Sequence, residues 1–263
     1  MLGKGSFKQS AAIQGRVIGA LLLREVITRY GRHNIGFLWL FLEPMLFTLG
    51  ITTLWTLVKA NHGSNLPITA FAVTGYSSIL LWRNCSNRMV KALEVNHSLL
   101  YHRNVRVLDV FISRLVLEIA GATCSCVVLT IVFASLGLMH FPSDLLTALW
   151  GWILLAWFAV ALGLLVGAAS ERAEMVERVW HIVTYLLFPL SGAAFMVDWL
   201  PESAQQLILW IPMVHGTEMI RHGFFGTEVH TYEDPVYLII VNLVLSLFAL
   251  AMVRETSRRV EPE

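Results

Sequence analysis

Charged residues are scarce in this sequence. Aspartate, glutamate, lysine and arginine make up 14% of its 263 residues, against roughly 25% in an average soluble domain. The hydrophobic fraction is 56% and the mean hydropathy is +0.66. This composition excludes an ordinary soluble fold and predicts an all-α integral membrane protein. The formal net charge of +1 gives no reason to expect a nucleic-acid partner.

Cysteine is scarce as well. The three cysteines, Cys85, Cys124 and Cys126, lie in apolar stretches and offer neither a disulfide framework nor a zinc-binding spacing. None of the nine histidines stands in a metal-binding motif such as H-E-x-x-H. The sequence therefore predicts no metal ion and no other cofactor.

A nucleotide-binding loop is absent from the sequence. The P-loop pattern G-x-x-x-x-G-K-[ST] occurs nowhere, and the only Gly-Lys pair, Gly3-Lys4, is followed by Gly5. If the work of this protein consumes ATP, another polypeptide must bind the nucleotide.

Long apolar runs are what the sequence has in abundance. A membrane-spanning helix needs ~20 consecutive, mostly apolar residues. Six stretches approach or exceed this length and predict six transmembrane helices in a single membrane domain: residues 35–58, 66–90, 115–139, 145–169, 179–197 and 236–253.

An amphipathic segment, residues 11–33, precedes the first span. On a helix, its polar side chains fall within one arc and its apolar side chains on the opposite side. The polar arc holds Arg24, Glu25, Thr28, Arg29 and Arg32, and the apolar side holds Leu23, Val26, Ile27 and Tyr30. We expect this helix to lie flat on the cytoplasmic leaflet with its arginines toward anionic headgroups.

The distribution of basic residues predicts the orientation. Sixteen of the nineteen lysines and arginines lie on one side of the membrane if the N-terminus is cytoplasmic. Lys59 and Arg221 lie on the other side, and Arg83 lies within a span. By the positive-inside rule, both termini are expected in the cytoplasm.

Two charged segments then face the cytoplasm. Residues 91–113 contain no proline or glycine, and residues 170–178 read SERAEMVER. They are either simple connections that obey the positive-inside rule or docking surfaces for a partner. Docking is the sharper hypothesis, because the membrane domain has no energy source of its own.

The external connection, residues 198–235, is too long for a turn. It contains two semi-apolar helical patterns, LPESAQQLILWIPM and VHGTEMIRHGFFG, and Glu218 and Arg221 stand three residues apart, so that they can pair on one helix face. These features predict a re-entrant helical hairpin in the outer leaflet, with a loop lying on the surface as the alternative.

Three segments carry a resemblance to a known family. They read LLLREVITRY, GRHNIGFLWLFLEPM and WIPMVHGTEMIRHGFFG. They resemble the membrane subunits of ATP-binding-cassette exporters that move polysaccharides across bacterial inner membranes. Within that group, the chain is most similar to the capsular polysaccharide exporters, the KpsM-type permeases. Export of O-antigen or teichoic acid is the alternative within the same class.

The resemblance implies a half-transporter. Such a permease forms a homodimer, pairs with two copies of a P-loop ATPase, and moves an acidic polysaccharide carried on a lipid anchor. An inner-membrane adaptor and an outer-membrane channel would complete the route. The resemblance also implies that residues 91–113 include a coupling helix and that 170–178 make a second ATPase contact. The coupling residues would be Arg103, Arg106, Asp109, Glu171 and Arg172.

Charged residues at membrane depth are candidates for the substrate path. Arg83, with Trp82 and Asn84, combines a cation, an aromatic face and an amide, although Arg83 can instead extend toward the cytoplasm. Glu43, next to Pro44, is a further path candidate, or it pairs with a cytoplasmic arginine. For Glu118 we expect a local ion pair with Arg114.

Arg24, Arg29 and Arg32 suggest a second kind of site. Guanidinium groups bind phosphate through two hydrogen bonds, so these arginines can hold the phosphate of a lipid-linked substrate, or they only anchor the helix to anionic lipid. Two other classes of function compete: a membrane-bound transferase, for which no catalytic spacing is evident, and an ion-coupled carrier, for which no internal repeat is evident.

Overall fold

The computed structural model describes residues 7–30, 34–58, 66–100 and 105–260. All regular elements in these ranges are helices. The α-helices are α1 (Phe7–Tyr30), α2 (Asn34–Val58), α3 (Ile68–Met89), α4 (Val107–Ser135), α5 (Leu145–Ser170), α6 (Glu174–Leu190), α7 (Glu202–Ile208), α8 (Pro212–Phe225) and α9 (Pro235–Val260). Three short 3-10 helices span Glu94–Leu99, Val197–Trp199 and Gly226–Glu228.

Each apolar run of the sequence lies within or overlaps one long helix, but several helix ends differ from the expected ones. The α4 helix begins at Val107, within the predicted cytoplasmic connection, because the Asp109 carboxylate accepts a hydrogen bond from the Arg106 N–H (2.9 Å) and caps it. The α6 helix ends at Leu190, and Gly192 follows with a φ of +79° that a helix cannot continue. Apolar runs locate the bilayer core, whereas capping residues set where the helices begin and end.

The core forms around α3 and α5. On α3 every residue from Thr69 to Trp82 is buried. The α5 helix packs against α3, α8 and α9, and a β-carbon on Gly223 would lie 2.3 Å from the Ala148 nitrogen, so only glycine lets α8 approach α5 this closely. Asp144 caps α5 by accepting hydrogen bonds from the Leu146 and Thr147 N–H groups, and its own N–H donates to the Gly223 carbonyl (2.8 Å).

Three of the described helices are long and apolar enough to cross a membrane: α4, α5 and α9. Their outward side chains are large and apolar, as in Ile131, Leu149 and Leu247, which are between 50% and 70% exposed. Such a surface is stable in lipid and not in water. The chain is therefore a multi-pass membrane protein.

The first helix faces the protein with its polar side. Glu25 is 8% exposed, its carboxylate lies 3.1 Å from Arg114 Nε of α4, and Arg24 Nη1 donates to Asn96 Oδ1 (2.7 Å). Leu23 and Ile27 on the opposite side are 63% and 42% exposed. Arg24 thus turns toward Asn96, because α4 and the Glu94–Leu99 helix supply polar partners for this face, and a contact between Arg24 and lipid headgroups stays a prediction.

Candidate functional site

Arg221 on α8 is a fully buried charged residue. Its side chain is 0% exposed, and its two terminal nitrogens donate to the carbonyls of Gly192 (2.5 Å), Phe195 (2.6 Å) and Ala193 (2.6 Å). Buried guanidinium groups are stable only when their donors are satisfied. Here the acceptors are main-chain carbonyls just beyond α6, so Arg221 holds the end of α6 against α8.

The α3 helix completes the surroundings of Arg221. The ring of Phe71 lies 3.9 Å below the guanidinium carbon. A β-carbon on Gly75 would lie 2.4 Å from the Ala193 carbonyl and 2.7 Å from Arg221 Nη2, so the glycine leaves the space that this contact needs. One arginine therefore connects α3, α8 and the segment that follows α6.

Glu218, one turn before Arg221 on α8, contacts the same segment that follows α6. It is 0% exposed, and its Oε1 accepts from the Val197 N–H at 3.4 Å. Glu218 and Arg221 both lie within the described residues, and no ion pair of 4.0 Å or less joins their side chains. The two side chains predicted to pair with each other thus act on residues 192–197 together.

A series of aromatic rings runs beside this cluster, which we call the aromatic path. It consists of Phe47 and Trp55 on α2, Phe71 and Tyr76 on α3, Tyr185 and Phe188 on α6, and Trp199. Successive centroids are 5.1 to 6.1 Å apart: Trp199 to Phe71, Phe71 to Trp55, Trp55 to Tyr76, and Tyr76 to Phe47 and Phe188. Phe71 and Tyr76 are buried, whereas Tyr185 is 68% exposed. One side of the aromatic path is therefore buried, and the other side, which we call its front, is exposed.

Arg83 lies at one end of the aromatic path. Its guanidinium carbon is 5.3 Å from the Tyr185 centroid and 5.8 Å from the Phe188 centroid, within the range of cation–π attraction. Arg83 and Asn84 are both partly exposed. Trp82, by contrast, is 1% exposed and packs in the core. The structure thus places Arg83 and Asn84 at an accessible surface and Trp82 away from it.

Glu43 belongs to a different set of charges. Its carboxylate lies 3.6 Å from Arg88 at the end of α3, and Arg88 is also 3.6 Å from the Glu118 carboxylate. Arg114 pairs with Glu25 and donates to the Arg88 carbonyl (3.1 Å). Glu43 therefore pairs with Arg88, an arginine that the charge distribution predicts to be cytoplasmic, and this network connects α1, α2, α3 and α4.

The two segments that were predicted to face the cytoplasm meet after α3. Lys91 Nζ lies 2.8 Å from Glu177 of α6, the Lys91 N–H donates to Ser170 Oγ (3.3 Å), and the Leu93 N–H donates to Glu171 Oε1 (3.2 Å). Lys91 has a φ of +53°, a left-handed conformation uncommon outside glycine. The connections after α3 and after α5 thus form one surface, which we call the cytoplasmic junction.

The contacts of Lys91 and Glu171 in the cytoplasmic junction shift the pKa values of both side chains. The Lys91 ammonium donates a hydrogen bond to the Glu177 carboxylate, which raises the pKa of Lys91, so Lys91 stays charged. Burial raises the pKa of the Glu171 carboxyl, and hydrogen bonds from the Leu93 and Glu94 main chain counter that rise. The raised pKa of Lys91 favours its charged form, whereas the raised pKa of Glu171 favours its protonated form.

The remaining predicted residues are placed as follows. Arg172 pairs with Glu255 of α9 at 2.7 Å, and Asp109 accepts hydrogen bonds from the Arg106 N–H and from the Gln14 side chain of α1. Arg103 and Arg32 lie outside the described residues, as does the side chain of Arg29. Asp109 and Arg172 thus hold helices together.

Sequence reasoning missed Lys91, Glu177 and Tyr185. The two charges stood inside the predicted docking segments, but nothing in the sequence showed that they meet across 86 residues. Tyr185 and Phe188 stood in an apolar span, and two aromatic residues three apart were the only available signal. Their proximity to Arg83 depends on how α6 packs against α3.

The helices define a multi-pass membrane protein. The described residues contain no group of three or more histidine, cysteine, aspartate or glutamate side chains that could hold a metal ion. The family pattern described as "ABC-2 type transporter" matches residues 16–225. The chain belongs to the ABC-2 type transporter family.

Close relatives cover the full chain. It is 52% identical over 262 residues to the capsule polysaccharide export inner-membrane protein CtrC of Neisseria meningitidis serogroup B, covering 100% of this chain and 99% of that protein. It is 48% identical over 258 residues to the capsule polysaccharide export inner-membrane protein BexB of Haemophilus influenzae, covering 98% and 97%. The polysialic acid transport protein KpsM of Escherichia coli is 25% identical over 242 residues, covering 92% and 94%. The resemblance inferred from the sequence is confirmed.

The joint action of Glu218 and Arg221 can be tested with a double-mutant cycle. Glu218→Ala and Arg221→Ala should each reduce the thermal stability of the purified protein, and their combined effect should be smaller than the sum, because either change releases residues 192–197. The reporter is the midpoint of thermal aggregation in detergent, and Glu202→Ala on the exposed face of α7 is the control. Additive losses would contradict a shared role.

Proposed function

We propose that this chain is the inner-membrane permease of a capsular polysaccharide exporter. In this proposal it moves a lipid-linked acidic polysaccharide out of the cytoplasm as a homodimer, driven by two copies of a separate ATPase. The aromatic path beside Arg83 is the observation that carries the proposal. The names of relatives at 52% and 48% identity support capsule export over O-antigen or teichoic-acid export.

The aromatic path suits a sliding carbohydrate. Sugar rings have apolar faces that pack on aromatic side chains without a directional bond, so successive rings give weak, similar binding positions. Along α3, the twelve residue steps from Phe71 to Arg83 correspond to ~18 Å of helix. The exposed front of the path, formed by Phe47 and Tyr185, is where a polymer would pass, and Arg83 would attract its anionic groups.

A second copy of the chain would provide the other wall. Thr184 is the only residue of the described α6 helix that is buried. The exposed apolar residues of α6 include Val179, Ile182 and Leu186. A helix with so few buried residues in one subunit is a natural contact for another subunit. We therefore place α6 at the centre of a homodimer, with the two aromatic paths facing each other.

The proposed topology has six spans. These are α2, α3, α4, α5, α6 and α9, with both termini in the cytoplasm and α1 at the inner membrane surface. The α7 and α8 helices would form the re-entrant hairpin in the outer leaflet. Burial of Arg221 and Glu218 against residues 192–197 supports the hairpin, since main-chain groups at membrane depth need protein partners.

The cytoplasmic junction is the proposed ATPase contact. It joins the Glu94–Leu99 helix to the beginning of α6 through Lys91, Glu171 and Glu177. Arg103, Arg106 and Arg172 remain proposed contributors to the same surface. An ATPase that moves the junction would also move α6, and with it Tyr185 and Phe188.

Other partners follow from the proposed pathway. An inner-membrane adaptor and an outer-membrane channel would receive the polymer, and Arg24, Arg29 and Arg32 would contact the phosphate of its lipid anchor. A transferase acting on lipid-linked sugars is the alternative of another class. It is disfavoured because the relatives are named as transport or export proteins.

The role of Arg83 can be tested by export. Arg83→Ala should reduce surface capsule about tenfold or more, since loss of a cation–π and ion-attracting site at a narrow point is worth more than 1 kcal/mol. Recovery of the ATPase with the tagged permease should be unchanged. Arg254→Ala, an exposed arginine on α9, is the control. Normal export by Arg83→Ala would overturn the path assignment.

The cytoplasmic junction can be tested by charge exchange. Glu177→Lys should lower recovery of the ATPase with the permease, because it places two cations together, and adding Lys91→Glu should restore recovery. Glu174→Lys, one turn earlier and exposed, should have little effect. If the exchange fails to rescue while both single changes weaken the complex, the ion pair is not what shapes the docking surface.

A further inference from the structure

A polar cavity lies between α1 and the end of α3. Its volume is about 270 Å³, and its lining includes Arg24, Asn87, Arg88, Asn96 and Arg114 together with one carboxylate, that of Glu25. Asn96 and Arg114 are 4% and 8% exposed. Three arginines and two amides around one space supply many hydrogen-bond donors and favour an anion as the occupant.

The charges around the cavity are compensated unevenly. Arg114 pairs with Glu25, and Arg88 lies near Glu43 and Glu118. Arg24 instead donates to a neutral oxygen, Oδ1 of Asn96, at 2.7 Å. Among the described residues, no acidic side chain pairs with Arg24, so its guanidinium is the cation available to an incoming anion.

A second polar group of the cavity also lacks a partner. The side-chain oxygen of Asn87 is buried without a hydrogen bond in the described chain. Amides can donate to phosphate oxygens through nitrogen, and the oxygen can accept from a hydroxyl of the same ligand. The cavity thus offers the Arg24 cation and the Asn87 amide, which can both donate and accept hydrogen bonds, to a phosphate that carries a hydroxylated group.

The location of the cavity beside α1 favours a phosphate that is attached to a lipid. Leu23 and Ile27, on the side of α1 that faces away from the cavity, are exposed and apolar, which is stable against acyl chains and places α1 beside lipid. A phosphate attached to a lipid could therefore enter from the side while its chains remain in the bilayer. A phospholipid headgroup and a lipid-linked substrate share this chemistry.

We propose that the cavity between α1, α3 and the Glu94–Leu99 helix binds a lipid-borne phosphate through Arg24, in competition with Asn96. The proposal deepens the headgroup role of Arg24 within the proposed function. When phosphate takes the guanidinium, Asn96 loses its partner on α1, and the Glu94–Leu99 helix loses a tether. Substrate binding would in this way reach the surface where the ATPase docks.

Lipid binding tests the site directly. Native mass spectrometry of the delipidated, purified complex compares phosphatidylglycerol with a glucosyl diacylglycerol of the same acyl chains. The wild-type protein should prefer the phosphate lipid, and Arg24→Gln should lower that preference about tenfold. Arg24→Gln keeps a hydrogen bond to Asn96 and so protects the fold. Arg16→Ala, an exposed arginine on the same helix, should retain the preference.

Asn96 gives the second readout. Asn96→Ala should bind phosphatidylglycerol at least as tightly as the wild-type protein, because a competitor for Arg24 is gone. ATPase activity of the reconstituted complex should then no longer respond to phosphatidylglycerol in the vesicles. Weaker lipid binding by Asn96→Ala would overturn the competition, and an Arg24→Gln protein that keeps the lipid preference would overturn the site.

Competition distinguishes the two phosphate sources. Lipid-linked polysaccharide extracted from producing cells should displace phosphatidylglycerol from the wild-type protein if the substrate anchor uses the cavity, and should not if the cavity serves membrane phospholipid. Binding is measured on the complex or on the permease alone, so it does not require export. A failed export proposal and a failed phosphate site therefore give separate results.

Discussion

The bonding of Arg221 to three main-chain carbonyls is the interaction on which the packing of α3, α6 and α8 depends. An uncompensated guanidinium at this depth would cost several kcal/mol, so its acceptors must stay in place. They belong to residues 192–195, and the ring of Phe71 and the absent side chain of Gly75 fix α3 beside them. The end of α6 is consequently set relative to α3, and this relation places Phe188 beside Tyr76 and near Arg83.

The α6 helix is fixed at its ends and weakly held between them. At its C-terminal end the last residues join the segment bound by Arg221, and near its N-terminal end Glu177 pairs with Lys91. Of its seventeen residues, only Thr184 is buried. Segments with few buried contacts have low local stability and move most easily. A motion at the cytoplasmic junction would therefore displace α6, which carries the exposed side of the aromatic path.

Sequence reasoning located elements better than contacts. Apolar runs predicted the long helices, and the two helical patterns in residues 198–235 correspond to α7 and α8, since both signals are local. The direction of Arg24 and the burial of Trp82 were not predictable, because each depends on distant partners: Asn96 for Arg24, and the core around α3 and α5 for Trp82. Periodicity shows that a helix has two faces. Which face meets protein is decided by residues such as Arg114, 89 positions away from the Glu25 with which it pairs.

Site-specific photocrosslinking at Tyr185 tests the central claim most directly. A photoreactive phenylalanine derivative would replace Tyr185 in cells that make the polysaccharide, and Leu247 on the exposed side of α9 would carry the same group as the control. The account predicts a polysaccharide adduct at position 185 that depends on ATPase activity, and none at position 247. Absence of an adduct at 185 in a permease that still exports, or equal adducts at both positions, would contradict it.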